Sequence, residues 1–174
     1  AIFYSIRNGV ISSIISLITG LLTVFGLKVT KKGKWIESFL TLPLGTSSVT
    51  LGLGYLLLFS HYMQFPLVIP FAHSVLSLPF VIRTLQPAIS GIPENIHQAA
   101  SVLGTKKKDF FWRVQFPIIR RPLIHAGIFA FTISMGEFGA ASFLTRPETP
   151  TISVAIYRFL GQAGAMNYGQ GMAM

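Results

Sequence analysis

The chain has 174 residues, of which 51% are hydrophobic and only 11% are charged. Soluble domains carry about 25% charged residues, so this composition argues against an ordinary soluble domain and favours a membrane protein. The chain has no cysteine, which excludes disulfides and thiolate metal sites. The formal net charge of +9 would suggest nucleic-acid binding in a soluble protein, but its distribution gives a different answer here.

Four stretches are long and apolar enough to cross a bilayer, which requires about 20 mostly apolar residues. They predict an all-α polytopic bundle with spans at about residues 2–27, 36–60, 67–85 and 123–144. Prolines and glycines interrupt the second and third stretches and leave some backbone N–H and C=O groups without a helical partner. We therefore expect these helices to pack against other helices, which supply hydrogen-bond partners for those groups. A fifth apolar segment begins near Gly169, and we expect the chain to be a fragment in which that span is cut short.

The basic residues concentrate in alternate connections. The first and third connections and their borders hold Lys28, Lys31, Lys32, Lys34, Arg83, Lys106, Lys107, Lys108, Arg113, Arg120 and Arg121. The second connection, residues 61–66, has no Lys or Arg. The positive-inside rule therefore predicts that the first and third connections are cytoplasmic and that residues 145–169 are extracytoplasmic. The charge is explained by topology, and we expect a multi-pass inner-membrane protein that does not bind nucleic acid.

The cytoplasmic segment, about residues 87–121, has a helical pattern of its own. Pro93 and Glu94 are typical of a helix start. One apolar stripe follows at helical spacing, formed by Ile96, Ala99, Ala100 and Leu103. Gly104 stands where a helix end often needs a left-handed residue. Lysines and aromatic residues continue to Pro117, a composition typical of the membrane interface.

Two interpretations of this segment follow from the pattern. It is either an interfacial linker that lies on the membrane or a helix that docks into a protein. The small pair Ala99-Ala100 favours docking, because small side chains anchor weakly in lipid but permit close backbone approach.

The spacing within the segment resembles the EAA loop of permease subunits of binding-protein-dependent ABC importers. That pattern is E-A-A, three residues, G, nine residues and I-x-L-P. Ala99, Ala100 and Gly104 match it, and nine residues separate Gly104 from the Val114–Pro117 stretch VQFP. Gln98 stands in place of the glutamate, so a hydrogen bond would replace any salt bridge there. Val114 and Phe116 replace Ile and Leu and keep the apolar character.

The resemblance implies a type I importer permease core. Its partners would be ABC ATPase subunits, an extracellular or periplasmic substrate-binding protein, and a second permease domain, either a homodimer mate or a fused half. ATP would bind to the ATPase, and this chain would carry no cofactor. The ATPase-coupling residues would be Glu94, Gln98, Ala99, Ala100, Gly104 and Pro117.

Glu137 lies in the fourth predicted span, where an ionisable group usually faces a cavity or a partner. We expect either a pathway or gate residue, together with Ser134 and Gly136, or a glutamate hydrogen-bonded to a neighbouring helix near His73. Gly136 and Gly139 would allow close helix contact in both cases.

The stretch around Glu137 also resembles the permeases for thiamine and for iron(III). It reads GEFGAASFL and is followed by RPETPT at residues 146–151. The later stretch YRFLG at residues 157–161 is similar to the thiamine branch. Thiamine is the first substrate expected and iron(III) the second. We expect a short helix near residues 152–160, which either receives the binding protein or lies at the interface, with contacts from Arg146, Glu148 and Arg158.

Catalytic and metal motifs are absent from the sequence. There is no P-loop, no H-E-x-x-H and no G-x-S-x-G, so we expect no catalytic or metal site. A proton-coupled secondary transporter or channel, with Glu137 as the titrating group, is the alternative function. Such a transporter would move its substrate without an ATPase, whereas an ABC importer would not. An intramembrane enzyme is disfavoured because no nucleophile and base are recognisable.

Overall fold

The computed structural model describes residues 1–29, 33–62 and 65–174, and the described residues form helices without any strand. This confirms the predicted all-α class. The helices, in chain order, are α1 Ile2–Val29, α2 Gly33–Leu40, α3 Ser48–Leu58, α4 Val68–Ser90, α5 Glu94–Val102, α6 Lys107–Phe110, α7 Phe116–Gly136, α8 Gly139–Leu144, α9 Ile152–Leu160 and α10 Ala165–Ala173. A π-helical turn, Phe111–Gln115, joins α6 to α7.

Within the described residues, three helices are long and apolar enough to cross a membrane: Ile2–Leu27, Val68–Ser90 and Lys108–Gly136. The second of these continues past residue 85, where the sequence predicted its end. The third begins before residue 123 and stops at Gly136 rather than near residue 144. Its N-terminal part carries Arg113, Arg120 and Arg121 with exposed side chains, so the helix can form before the apolar part begins.

The second predicted span, residues 36–60, is wrong as a single helix. Helix α2 ends at Leu40, a 3₁₀ turn occupies Leu42–Gly45, and α3 begins only at Ser48. Pro43 lies in this turn and lacks the N–H that a continuous helix needs. The extended backbone of Thr46, at φ −105° and ψ 148°, completes the break. Helix α3 has 11 residues and is too short to cross the hydrocarbon core alone.

Helices α1, α4 and α7 pack against one another in pairs and form the centre of the molecule. Their shared buried core consists of Val24, Val81, Ile82, Leu85, Ile89, Ile119, Ala126 and Ala130. Gly20 of α1 allows the close approach to α4, since a Cβ there would lie 2.6 Å from Val81 Cγ1. Ser16 Oγ also lies 2.6 Å from Ser77 Oγ across the same interface. Small residues and interhelical hydrogen bonds of this kind hold helices together in lipid.

Helix α1 shows an arrangement inverted relative to that of a soluble protein. Its buried face carries the polar residues Ser5, Asn8, Ser12 and Ser16. Its opposite face exposes large apolar side chains at a spacing of about four residues, namely Ile2, Ile6, Val10, Ile14, Ile18 and Leu22. An apolar stripe on the outside, with small and polar residues inside, is the pattern that lipid as solvent requires.

The two ends of the bundle are distinct. Tyr4, Val68 and Leu144 line one cavity, so the start of α1, the start of α4 and the end of α8 meet at one end. The rings of Phe25 and Phe111 lie 6.2 Å apart, which places the end of α1 beside the segment that leads into α7. The described borders of the first and third connections, at the end of α1 and before α7, therefore lie at the opposite end, in agreement with the alternation that the charge pattern predicts. Residues 30–32 of the first connection, with Lys31 and Lys32, lie outside the described residues.

Candidate functional site

Helix α5 ends in a left-handed glycine that is followed by a six-to-one backbone hydrogen bond. Gly104 has φ +67°. The Thr105 N–H donates to the Ala100 carbonyl at 3.0 Å, and the Leu103 N–H donates to the Ala99 carbonyl at 3.1 Å. The bond from Thr105 back to Ala100 is the six-to-one bond of a Schellman motif, which requires positive φ at the residue before the donor. Gly104 therefore sets the direction in which the chain leaves α5.

The predicted apolar stripe of α5 lines an open groove of about 530 Å³. Its α5 wall consists of Ile96, Ala99, Ala100 and Leu103, together with Gly104. The facing wall comes from the segment that leads into α7 and includes Asp109, Phe110, Arg113 and Val114. The groove joins small apolar residues to two cations, Lys106 and Arg113, and one anion, Asp109, within one concave surface.

Two large apolar side chains at the end of α5 are almost fully exposed. Val102 is 87% exposed and Leu103 is 81% exposed. Nearby, Ile92 and Phe110 are 6% and 8% exposed, so buried apolar residues flank the helix on both sides in sequence. An exposed apolar tip on a segment with buried flanks is typical of a contact surface for another protein.

The structure brings together some of the predicted coupling residues and separates others. Ala99, Ala100 and Gly104 share the groove. Gln98 is exposed on the same helix but does not line the groove. Pro117 lies in the first turn of α7, outside the groove. Glu94 is the first residue of α5, and its side chain lies outside the described part of the structure.

Glu137 lies at the junction between α7 and α8, and not in the middle of a span. Its backbone is extended, with ψ 121°, and α8 begins two residues later. The carboxylate accepts the Ala140 N–H at 3.0 Å and the Ala141 N–H at 3.1 Å. Because the first N–H groups of a helix have no partner within it, a buried carboxylate at this position satisfies them and favours the helix dipole. Glu137 therefore caps α8.

The same carboxylate lies beside a buried histidine of α4. Glu137 Oε2 is 3.8 Å from His73 Nε2, and His73 Nδ1 is 2.8 Å from Ser134 Oγ. Glu137 is 8% exposed and His73 is fully buried. This proximity links α4, α7 and α8, but the 3.8 Å separation is longer than the hydrogen bond to a neighbouring helix that the sequence offered as one alternative. Sequence reasoning named His73 only as a neighbour of Glu137 in that alternative and not as a site residue, because no local motif surrounds it.

The two glycines near Glu137 differ in their surroundings. A Cβ on Gly139 would lie 2.9 Å from the backbone nitrogen of Val49, so this glycine lets α8 approach α3. A Cβ on Gly136 would meet nothing within 4 Å. Close helix contact is therefore present at Gly139, whereas the expectation of such contact at Gly136 is wrong. The end of α7 lies against open space on that side.

The segment after α8 contains the predicted short helix, now seen as α9. Ser5 Oγ of α1 accepts the Ile152 N–H at 2.7 Å, which ties the start of α9 to the start of α1. Ser153 Oγ donates to the Met135 carbonyl at 3.2 Å. Arg158 Nη1 donates to the Pro147 carbonyl at 3.5 Å. Helix α9 is therefore fixed to the bundle and is not a loose connection.

Comparison with known proteins gives a consistent result. A family model described as binding-protein-dependent transport system inner membrane component matches residues 10–166. The chain is 29% identical over 166 residues to a Salmonella typhimurium protein, PhnV, provisionally named as a permease of a 2-aminoethylphosphonate transport system. That alignment covers 90% of this chain and 62% of PhnV, so the chain spans less than two thirds of the length of that relative.

Two further relatives carry different names. The Escherichia coli K12 molybdenum transport system permease protein ModB is 31% identical over 154 residues, which is 75% of this chain and 66% of ModB. A Marchantia polymorpha protein, cysT, provisionally named as a permease of a sulfate transport system, is 30% identical over 100 residues. That alignment covers 56% of this chain and 35% of cysT.

Proposed function

Because the chain belongs to the family of inner-membrane components of binding-protein-dependent transport systems, we propose that it forms part of the membrane pathway of an ATP-driven importer and couples to the ATPase through α5. ATP is bound and hydrolysed by the separate ATPase subunit, and this chain contributes no catalytic residue. The coupling surface faces the cytoplasm, where the ATPase is.

The observation that carries the proposal is the groove with its exposed apolar tip. Val102 and Leu103 expose almost their whole side chains, which is unfavourable in water and is relieved when a partner covers them. Ala99 and Ala100 let a partner backbone approach α5 closely. Gln98, exposed on the same helix, supplies a neutral hydrogen bond where related loops carry a charge.

The connections of α5 explain how a partner would move the pathway. Helix α5 follows α4 after a short turn and leads through Gly104 and the π-helical turn into α7. Both of these long helices belong to the central three-helix core. A displacement of α5 by the ATPase would therefore be transmitted to two core helices at once.

The remaining partners follow from the family. A substrate-binding protein would deliver the substrate at the extracytoplasmic end, where α9 is anchored to α1. A second permease domain, in a homodimer or in a fused chain, would complete the pathway. The exposed apolar stripe of α1 supplies a surface for lipid or for that second domain.

We assign the substrate to the class of small oxyanions. The three relatives described above are named for 2-aminoethylphosphonate, molybdenum and sulfate transport. Phosphonate and sulfate are tetrahedral oxyanions, and molybdenum in neutral water is present as molybdate. Thiamine and iron(III), which the sequence resemblance suggested, are cations, and none of these three relatives is named for them. Uptake assays with both kinds of substrate separate the two assignments by charge.

We propose that Glu137 and Ser134 act as gate residues at the α7–α8 junction. Because Glu137 caps α8 and also lies beside His73 of α4, a movement of α4 relative to α7 would disturb the cap. A proton-coupled transporter would use the same cluster for titration. Substrate uptake that continues without the ATPase would favour that rival.

The coupling proposal is tested with the complete transporter, including its ATPase and binding protein, in proteoliposomes. Ala100→Arg places a long charged side chain in the groove and should uncouple ATP hydrolysis from uptake. Ala163→Arg, at an exposed position between α9 and α10, is the matched control. Normal uptake per ATP hydrolysed by the Ala100→Arg transporter, at wild-type expression, would show that the groove does not receive the ATPase.

A further inference from the structure

Helix α2, which contains the start of the second predicted span, has an exposed apolar face. Trp35 is 82% exposed, Phe39 is 70% exposed and Ile36 is 41% exposed. At about 100° per residue these three positions lie within one sector of about 100° around the helix, and we call them the apolar face of α2. The eight residues of α2 extend about 12 Å, which is too short to cross the hydrocarbon core. Helix α2 therefore cannot place this face in lipid by spanning the membrane.

One edge of α2 is fixed to the bundle. Leu40 is half-buried and packs against the core shared by α1, α4 and α7. It lies about 40° around the helix from Ile36, at the border of the apolar face. This contact fixes how α2 is turned about its axis, and it leaves Trp35 and Phe39 exposed beside the bundle.

Helix α2 lies near the level at which the membrane meets water. The membrane-crossing part of α1 ends at Leu27, and three residues separate the end of α1 from the start of α2. Helix α2 therefore starts within about 14 Å of the end of α1. Trp112, the second tryptophan of the chain, is 55% exposed at the same end, where the neighbouring ring of Phe111 contacts Phe25 of α1. Tryptophan concentrates at the level of the lipid headgroups, so both tryptophans indicate that level here.

The border between α1 and α2 is strongly basic. Residues 28–40 contain four lysines and one acid, Glu37, which gives a net charge of +3, and no acid precedes Glu37 in the chain. Lys28 is in the last turn of α1 and Lys34 is in the first turn of α2. The side chains of these lysines lie outside the described part of the structure, and the net charge follows from the sequence. A cluster of four lysines beside the cytoplasmic end of a span is typical of a segment that binds anionic lipid.

We propose that α2 is an interfacial anchor for anionic lipid. Its apolar face inserts at the boundary between headgroups and acyl chains, and the lysines attract anionic headgroups. A helix with aromatic residues on one face and a basic border lies in the plane of the interface for these two reasons. Since Leu40 contacts the core, the anchor ties the predicted cytoplasmic end of the bundle to the membrane surface. The anchor does not depend on the transport function proposed above.

The test places a fluorophore on α2 in the complete transporter, reconstituted in proteoliposomes. This chain has no cysteine, so bimane can be attached at one chosen position once any cysteines of the partner subunits are replaced. Phe39→Cys and Trp35→Cys each place the label on the apolar face. Glu37→Cys is the matched control, since position 37 lies about 160° around the helix from both. Lipid with brominated acyl chains quenches a label in the membrane, and iodide quenches a label in water.

The two quenchers should act on opposite sides of α2. We expect brominated lipid to quench the labels at positions 35 and 39 about twofold or more as strongly as the label at position 37, and iodide to show the reverse order. Quenching of positions 35 and 39 by iodide alone would show that the apolar face lies in water. Shielding of both positions from both quenchers would show that a protein covers it. Either result would overturn the lipid anchor.

The charge of the lipid is tested with the label at position 39. Bilayers contain equal amounts of phosphatidylcholine and phosphatidylglycerol, and only one of the two is brominated in each preparation. Stronger quenching by brominated phosphatidylglycerol is the expected result. Lys34→Gln should lower the relative affinity for phosphatidylglycerol about fivefold. Arg121→Gln, which removes one exposed cation of α7 at the same end, should leave it unchanged.

Two results would contradict the anionic preference. One is equal quenching by the two brominated lipids in the transporter that keeps all four lysines. The other is an equal loss of affinity in Lys34→Gln and Arg121→Gln, which would show a general effect of charge and no specific effect of the border of α2.

Discussion

Gly104 offers the sharpest test of how α5 is held, because its role is purely conformational. Its φ of +67° lies in the left-handed region, and a Cβ added there would meet nothing within 4 Å. Gly104→Ala therefore changes no packing and costs about 1–2 kcal/mol through backbone conformation alone. This energy corresponds to a factor of roughly 5–30 in the population of the native helix end. Since the position is exposed, we expect the effect on coupling to exceed the effect on global stability.

The order within a substitution series is the specific expectation. Gly104→Asn should retain most of the coupling, because asparagine tolerates left-handed backbone better than other L-residues do. Gly104→Ala should couple less, and Gly104→Pro least, since proline cannot adopt positive φ. Gly54→Ala is the matched control. A Cβ at Gly54 also meets nothing within 4 Å, but Gly54 lies in the ordinary conformation of α3.

The assay is the number of substrate molecules imported per ATP hydrolysed in proteoliposomes, with the melting temperature of each transporter measured in detergent. If the asparagine and alanine variants were equally impaired, the important property of Gly104 would be its lack of a side chain and not its left-handed φ. Full coupling in Gly104→Ala would refute the importance of the left-handed helix end.

Two further predictions concern stability, measured by thermal unfolding of the purified complex. Glu137→Ala should destabilise the α7–α8 junction by about 1–3 kcal/mol, because the Ala140 and Ala141 N–H groups lose a buried carboxylate. Glu137→Gln should be milder, and an unaltered melting temperature in both variants would contradict the cap. Gly20→Ala should cost about 1–3 kcal/mol by forcing a Cβ against Val81. Gly26→Ala in the same helix meets nothing within 4 Å and should be neutral, so equal effects would argue against the close α1–α4 contact.

The predicted helix starts and ends were accurate where a local signal decides them. The stripe from Ile96 to Leu103 and the glycine after it predicted α5 and its C-terminus, because helical periodicity and the need for positive φ are local properties. The second span failed because hydropathy averages over about 20 residues and does not register a proline turn within an apolar run. The fourth failed at its start because a helix continues into polar sequence when its arginines are exposed.

The chemical environment of Glu137 could be anticipated only as a pair of alternatives. Its distance from His73 depends on the packing of α4 against α7 and α8, and those contacts join residues more than sixty positions apart. The same limit applies to Leu40, whose contact with the core decides which part of α2 stays exposed.

The amino-acid sequence alone indicated that the protein lies in a lipid bilayer and that its fold is all-α. It also indicated where α5 begins and ends. These properties depend on composition and on neighbours within one or two helical turns. Tertiary structure alone decided the facing wall of the α5 groove, the capping role of Glu137 and the exposure of the apolar face of α2. The physical reason is that each requires the relative position of helices, and that position results from the packing of small and polar residues across α1, α4 and α7.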